Sequence, residues 1–214
     1  MSIQITTEQI KELRDQTGIS VMQCKRALEE AMGDMEKALT ILKKTSSDIA
    51  LKKVNREVKD GRVVVKTDGS KAVLVALHCE TDFVAKNEDF VNLLNQLADK
   101  AFSEGVEKMR SGAKDAIDPI IQKTGENIQL GDAYEAREGV LGSYVHNNKI
   151  GVIVALEGGS KELAKDVAMH MAAMQPESVP ELLGQSFIKN TDETVGELLQ
   201  KAGAKIKEVK RYSI

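Results

Sequence analysis

Two apolar runs of similar sequence constrain the fold of this chain more than any other feature. KAVLVAL at 71–77 and KIGVIVAL at 149–156 each follow a strand-like segment and a tight turn signal, an Asp-Gly pair in the first case and an Asn-Asn pair in the second. Each run is followed by a segment with apolar residues at helical spacing. The sequence therefore predicts an α+β fold whose core consists of two related hairpin-plus-helix halves.

Changes in polarity and in hydrophobic periodicity divide the chain into four predicted segments. The stretch KKTSSDIALKKVNREVKDG is polar and charged and has only a weak helical period, which is typical of a connector. The expected segments are a three-helix module at 1–45, a linker at 46–60, a first core half at 61–130 and a second core half at 131–214 that ends in a helix and a strand.

The N-terminal module shows helix start signals before its first two apolar stripes, and Gly33-Asp34 breaks the chain before the third. Thr6 or Thr7 can cap the first helix, and Ser20 with Gln23 forms a capping-box pattern at the second. The residues expected to face inward on the second and third helices are Val21, Cys24, Leu28, Ala31, Met35, Ala38, Leu39 and Leu42. A module of this size is near the lower limit of independent stability, so a recognition piece attached to a larger body is the expected role.

Composition excludes several classes of protein. Apolar residues make up 42% and charged residues 29% of the chain, and the net charge of −3 is spread along it, without the basic clustering of a nucleic-acid-binding protein. No apolar run reaches the roughly 18 residues that suggest a membrane span, and the N-terminus lacks a signal-peptide pattern. Cys24 and Cys79 lie far apart, so free thiols and a cytoplasmic location are expected.

Motifs for enzyme chemistry are missing from the sequence. Neither GxxxxGK[ST] nor a GxGxxG at a strand-to-helix turn occurs, and HCE at 78–80 lacks the downstream PCxxC of a zinc deaminase. His170 lies on an inward helical stripe and is expected in the core, whereas His146 lies at a hairpin tip, where a contact role and simple solvation are both open. We therefore expect no metal, no cofactor and no enzymatic activity.

Two apolar side chains, Met22 and Phe83, lie at positions that neither the helical nor the strand periodicity assigns to an inward face. Met22 is offset by about 100° from the stripe of the second helix. Phe83 falls between the end of the apolar strand and the helix that follows Asn87. From the pattern alone, Met22 can be an isolated surface methionine and Phe83 a loop aromatic folded back over the core.

Four ordered segments resemble the bacterial elongation factor Ts family. They are LRDQTGISVMQCKRALEEAMGDMEKAL at 13–39, CETDFVAKNEDF at 79–90, GENIQLGDAYEAREGVLGSYVHNNKIGVIVAL at 125–156 and DVAMHMAAMQPE at 166–177. The linker KKVNREVKDG is similar to the family's KKAxRxxxEG. The likeness covers about residues 8–178 and resumes over 186–214.

The resemblance implies a guanine-nucleotide exchange factor that binds elongation factor Tu in its GDP-bound and nucleotide-free forms. By this likeness the three-helix module docks on the GTPase domain through the face that carries Arg14 and Met22. The exchange motif is Thr81, Asp82, Phe83 and Val84, of which Asp82 and Phe83 enter the magnesium and phosphate side of the nucleotide pocket. His146 lies close to that contact, and the second core half touches the last domain of the GTPase. No direct nucleic-acid or membrane contact is implied.

The likeness also has a departure and leaves two alternatives. Longer members insert a helical arm and a C-terminal module after the segment that matches AMHMAAMQPE, whereas here only SVPELLGQS precedes the tail, so a compact member and a possible homodimer are expected. A binding module of unrelated function is the first alternative, because the three-helix piece resembles ubiquitin-associated folds. A small α+β enzyme is the second.

Overall fold

The computed structural model describes residues 5–214, in which nine helices and eight strands form an α+β fold. The helices are α1 (Thr7–Thr17), α2 (Val21–Glu30), α3 (Met35–Lys53), α4 (Asp82–Ala85), α5 (Glu88–Glu104), α6 (Val106–Thr124), α7 (Lys161–Met174), α8 (Val179–Gly184) and α9 (Val195–Lys201). The strands are β1 (Asp60–Thr67), β2 (Ala72–Cys79), β3 (Ile128–Ala136), β4 (Val140–His146), β5 (Ile150–Glu157), β6 (Ser186–Phe187), β7 (Asn190–Thr194) and β8 (Lys205–Ser213).

Helices α1 to α3 surround their own small apolar core. Each begins at a side chain that accepts a backbone amide hydrogen bond: Thr6 and Ser20 confirm the predicted start signals, and Asp34 caps the third helix. The core residues are Leu13, Ile19, Cys24, Ala27, Leu28, Ala31, Ala38 and Leu42. The first four residues of the expected 1–45 segment lie outside the described part of the chain.

Two residues of this module expected inward are exposed instead. Val21 is 50% exposed and Leu39 is 37% exposed. Ala27 shifts the centre of the buried stripe on α2, which leaves Val21 at its edge in the first turn. Leu39 is about 100° around the helix from Ala38 and lies at the edge of the stripe on α3.

Helix α3 continues through the first half of the expected linker and ends at Lys53. Its second half packs on α6 partly through polar contacts, because the Ser47 hydroxyl donates to Asp118 at 2.7 Å and Lys43 pairs with Asp115 at 2.7 Å. These polar contacts explain why the apolar period is weak over residues that are nevertheless helical. The non-helical connector is therefore shorter than the 46–60 segment expected from the sequence.

Two three-stranded antiparallel sheets, in the order β1-β2-β3 and β4-β5-β8, lie face to face between layers of helices. On β2, Val73, Val75 and Leu77 face the core formed with α5 and α6, whereas Leu74 and Ala76 face the other sheet. Both faces of the strand are therefore buried. This explains why KAVLVAL is continuously apolar although the sheet is antiparallel.

The second sheet repeats this alternation. On β5, Val152, Val154 and Leu156 face the core formed with α7, α8 and α9, and Ile153 and Ala155 face β1 and β2. Two glycines allow the layers to approach closely. A Cβ at Gly151 would lie 2.5 Å from Val63 Cγ1, and one at Gly142 would lie 2.1 Å from backbone of α7. Tight layer packing therefore depends on glycine at both positions.

Several elements differ from the sequence expectation. Strand β3 was not predicted; it pairs with β2, so the first sheet extends past the expected boundary at 130. Its sequence, IQLGDAYEA, lacks strict alternation, and the register shifts between Val75 and Leu77 where it pairs. Helix α6 spans Val106–Thr124, whereas the sequence predicts only a short helix over 113–125 that stops at Gly125. Helix α8 and the short β6–β7 pair were also missed, whereas α9 and the terminal strand β8 confirm the prediction.

Within residues 5–214, no helix is both long enough and apolar enough to cross a lipid bilayer.

Candidate functional site

The predicted exchange motif lies on a one-turn helix rather than in a loop. Thr81 caps α4, and its hydroxyl oxygen accepts the backbone N–H of Val84 at 3.4 Å. Successive residues on a helix differ by about 100° in direction, so Val84 and Ala85 pack into the core while Asp82 and Phe83 face solvent. The Phe83 side chain is 81% exposed, which excludes the folded-back loop aromatic.

A carboxylate from a distant part of the chain holds the base of α4. Glu126 accepts the backbone N–H of Glu80 at 3.1 Å and that of Thr81 at 3.0 Å, and it accepts the Thr81 hydroxyl at 2.7 Å. In return, the Glu80 carboxylate accepts the backbone N–H of Asn127 at 2.6 Å. Residues 80–81 and 126–127 are therefore joined by hydrogen bonds in which each segment both donates and accepts.

The β4–β5 hairpin tip lies beside the motif, across a cleft of about 160 Å³. The lining residues are Asp60, Gly61, Arg62, Asp82, Ala85, Lys86, Asn147, Asn148 and Lys149. The tip is fixed to β1 because the Val63 N–H donates to the Asn148 carbonyl at 2.8 Å and the Lys149 ammonium donates to the Gly61 carbonyl at 2.8 Å. The structure thus brings Asp82 and the hairpin of His146 to one edge of the molecule.

Each carboxylate that lines the cleft has a lysine partner. Lys86 pairs with Asp82 at 2.6 Å, and this contact raises the pKa of the lysine. Burial opposes ionisation of Asp60, but the hydrogen bonds from Lys149 and from the Gly61 amide outweigh it and lower the pKa of the carboxyl. The hydrogen bonds from Lys149 and Gly61 therefore stabilise the ionised form of Asp60, and the exposed Lys86–Asp82 pair lies beside it.

His146 is exposed at the hairpin tip. Its ring stacks on Tyr144 with centroids 6.2 Å apart, and its Nε2 lies 3.2 Å from the Asn147 side-chain nitrogen. Asn147 and Asn148 adopt positive φ angles of 49° and 57°, as a two-residue hairpin turn requires. The tip therefore exposes the His146 ring and two asparagine residues, and the contact role of His146 stays a prediction.

Arg14 and Met22 are also exposed, with Met22 62% accessible, which confirms that it faces solvent. Among residues 5–214, no hydrogen bond or ion pair joins either of them to the exchange motif. The module is joined to the core through α3, where Lys43 pairs with Asp115 of α6 at 2.7 Å and the Ser47 hydroxyl donates to Asp118 at 2.7 Å. The structure therefore presents two separate exposed elements on one scaffold.

The Cys79 thiol and the His170 imidazole are both buried. Cys79 donates to the Thr81 carbonyl at 3.1 Å, and burial raises the pKa of its thiol to about 12. His170 is fully buried; burial lowers its pKa, and its Nδ1 accepts the Ile188 N–H at 3.3 Å. This confirms His170 as a core residue.

No group of three or more His, Cys, Asp or Glu side chains suited to hold a metal ion occurs in the described range 5–214. The site consists of the exposed Phe83 ring and Asp82 carboxylate on α4, whose first residues are hydrogen-bonded to Glu126, next to the β4–β5 hairpin tip.

Three residues that shape the site were not identified from the sequence. They are Asp60, Glu126 and Lys149, which lie 21 or more positions from the motif, so spacing gave no indication of them. Glu126 does belong to the GENIQL segment that carries the family resemblance, and that segment is the signal that could have found it.

Comparisons with known proteins show to which family the chain is similar. The family model described as "Elongation factor TS" matches residues 80–181. Among the similar proteins named Elongation factor Ts are those of Hahella chejuensis (37% identical, covering 98% of this chain and 92% of the relative), Thioalkalivibrio sulfidiphilus (36%, 98% and 92%) and Arthrospira platensis (40%, 89% and 83%). The first alignment spans 262 positions against a chain of 214 residues, so at least 48 aligned positions have no counterpart here.

Proposed function

We propose, because the chain belongs to the elongation factor Ts family of translation elongation factors, that it is a guanine-nucleotide exchange factor for elongation factor Tu. In this proposal it binds the GDP-bound GTPase, promotes loss of GDP and remains on the nucleotide-free form until GTP enters. It acts by binding in the cytoplasm, without a metal, a cofactor or enzymatic chemistry of its own.

The exposed ring of Phe83 is the observation that carries this proposal. Among the large apolar residues of 5–214, Phe83 is the most exposed, at 81%, and it lies on a turn whose Val84 and Ala85 are buried. A ring held out on a fixed support is suited to insert into a partner's pocket. We propose that Phe83 enters the nucleotide pocket of the GTPase and makes that pocket less favourable for GDP.

Energetics require more than this one side chain. Transferring a phenylalanine from water to an apolar site contributes about 1.5–3 kcal/mol, equivalent to about a tenfold to a hundredfold change in affinity. Accelerating GDP release several thousandfold requires about 5 kcal/mol of differential binding. Because the coupling between GDP and the factor is reciprocal, the remaining free energy must come from contacts elsewhere that GDP also opposes.

Asp82 supplies part of the difference in this account. Its carboxylate reaches the same edge as Phe83, and a charge brought close to Mg²⁺ disturbs an octahedral shell that tolerates little displacement. In the free protein the Lys86 ammonium, 2.6 Å away, neutralises Asp82. The pair is exposed, so Asp82 can exchange this partner for another at little cost.

We call Asp82 and Phe83 the wedge, and the surfaces that hold it in the partner's pocket the docking surfaces. We propose that α1–α3 form a ubiquitin-associated-like module whose Arg14 and Met22 face contacts the GTPase domain. In the same proposal, the two sheets with their helices are related halves; the hairpin tip of His146 supports the wedge and the second half touches the last GTPase domain. Association of two copies stays a prediction for which the contacts of the single chain give no direct support.

Stopped-flow release of a fluorescent GDP from elongation factor Tu tests the proposal. Phe83→Ala should lower the maximal release rate more than it weakens binding to the nucleotide-free GTPase, and Met22→Ala should mainly weaken binding. Leu51→Ala is a matched control, because Leu51 is 64% exposed and has no assigned role. The reverse pattern for Phe83 and Met22 would contradict the division of roles, and no acceleration by the unchanged protein would contradict the exchange function itself.

A further inference from the structure

Helix α4 is too short to fix its own direction. It has four residues, and a single helical turn is unfavourable in isolation because several dihedral angles are fixed for one hydrogen bond. The Thr81 cap supplies one contact within the turn, at 3.4 Å. The direction of Phe83 therefore depends on contacts from outside the turn.

Glu126 supplies the strongest of those contacts. Its carboxylate accepts three hydrogen bonds at the point where β2 ends and α4 begins, at 2.7 to 3.1 Å from the donors. Within the described chain it forms no ion pair with a lysine or arginine, so the two amides and the Thr81 hydroxyl are the groups that satisfy its charge. Hydrogen bonds to an ionised acceptor are stronger and shorter than neutral ones.

The segment that carries Glu126 is itself anchored. Asn127, only 2% exposed, donates from its side chain to the Arg56 carbonyl at 2.7 Å and from its backbone to Glu80 at 2.6 Å. Glu80 also pairs with Arg56 at 3.4 Å. The start of α4 is thus tied to the start of β3 and to the connector that follows α3.

We propose that Glu126 is a positioning residue for nucleotide exchange: its carboxylate sets the direction in which Phe83 projects. This rests on the proposed exchange function. Glu126 does not contact the partner in this account; it acts through Thr81. Loss of the carboxylate leaves the ring exposed but mobile, so docking is retained and displacement of GDP becomes inefficient.

A tryptophan reporter tests the positioning without any partner. The chain contains no tryptophan, so Phe83→Trp gives a single emission signal at the wedge. Fluorescence anisotropy should fall when Glu126→Ala is added and fall less with Glu126→Gln, which keeps one acceptor oxygen. Glu197→Ala is the matched control, because that carboxylate accepts the Thr194 N–H at 2.8 Å and its hydroxyl at 3.2 Å in a similar arrangement at α9.

The functional measurement is stopped-flow release of GDP from elongation factor Tu, made with variants that keep phenylalanine at position 83. A misplacement of about 1 Å can cost about a hundredfold at a reacting centre, so Glu126→Ala should slow maximal release about tenfold or more. Affinity for the nucleotide-free GTPase should stay within about twofold, since the docking surfaces are unchanged. Glu197→Ala should alter neither quantity.

The outcomes separate the two proposals. Anisotropy at the control level in Glu126→Ala, or equal losses in Glu197→Ala, would overturn the positioning role. If the unchanged protein does not accelerate GDP release from elongation factor Tu, the proposed exchange function is contradicted. The anisotropy measurement still decides whether Glu126 fixes the direction of the Phe83 ring. Should Glu126→Ala not fold, Glu126→Gln carries the same two measurements, because it removes one acceptor oxygen of the same contact and leaves the Thr81 cap in place.

Discussion

Truncation of two neighbouring residues of α4 should lower the free energy of unfolding by very different amounts. Phe83 is 81% exposed, so about one fifth of its side chain is buried, and Phe83→Ala should remove only about 0.3–0.6 kcal/mol of the 1.5–3 kcal/mol available from full burial. The higher helix propensity of alanine offsets part of this loss. Val84 is 9% exposed and packs in the core of the first sheet. Val84→Ala should therefore lower the free energy of unfolding by about 1.5–3 kcal/mol, from lost burial and the resulting cavity.

Urea unfolding of both variants, followed by stopped-flow GDP release from elongation factor Tu, separates stability from function. We expect Phe83→Ala to keep the unfolding midpoint and to slow release about tenfold to a hundredfold, which corresponds to the loss of about 1.5–3 kcal/mol of interaction with the partner. A destabilisation of Phe83→Ala comparable to that of Val84→Ala would refute the reasoning, because it would mean that the ring packs on its own protein.

Three further outcomes follow from the packing and the titratable groups. Burial lowers the pKa of His78 and His170 below the ordinary 6.5, so the folded state keeps neutral imidazoles while the unfolded chain takes up protons near 6.5. The free energy of unfolding should therefore fall as the pH is lowered through about 6.5 and further toward the folded-state pKa values of the two histidines. Thermal melts between roughly pH 8 and pH 5 measure this change. A melting temperature that rises on acidification would contradict the burial of neutral imidazoles. Gly142→Ala should destabilise by about 2 kcal/mol or more in urea titrations, because a Cβ would lie 2.1 Å from backbone of α7, and an unchanged midpoint would show that the layers can separate freely. Cys24 and Cys79 should react with a thiol reagent only after unfolding, since both are buried, and rapid modification of the native protein would argue against that packing.

The fold was predictable wherever one local rule dominated. The KAVLVAL and KIGVIVAL strands, the Asn-Asn hairpin and the capped helices α1, α2, α5 and α7 all follow from period and turn chemistry. Strand β3 escaped prediction because a glycine and an acid interrupt its alternation and because its pairing with β2 is a long-range contact. The second half of α3 escaped because it packs partly through Ser47 and Lys43, which carry no apolar signal.

The site was predictable as a set of exposed residues but not as an arrangement. The pattern around Met22 and Phe83 indicated side chains out of place, and the resemblance assigned them a purpose. The carboxylate of Glu126 lies 45 residues from Thr81, and Lys149 lies 89 residues from Asp60. Contacts at such separation depend on how the two sheets and α6 come together, which no local period specifies.

The most direct measurement of the central claim is the ratio of two dissociation constants, for nucleotide-free and for GDP-bound elongation factor Tu, determined for the unchanged protein and for Phe83→Ala. If Phe83 makes the pocket less favourable for GDP, the unchanged protein prefers the nucleotide-free form strongly, and Phe83→Ala reduces that preference by about tenfold or more. An equal preference in both proteins would contradict the account, because the exposed ring would then add affinity without opposing the nucleotide.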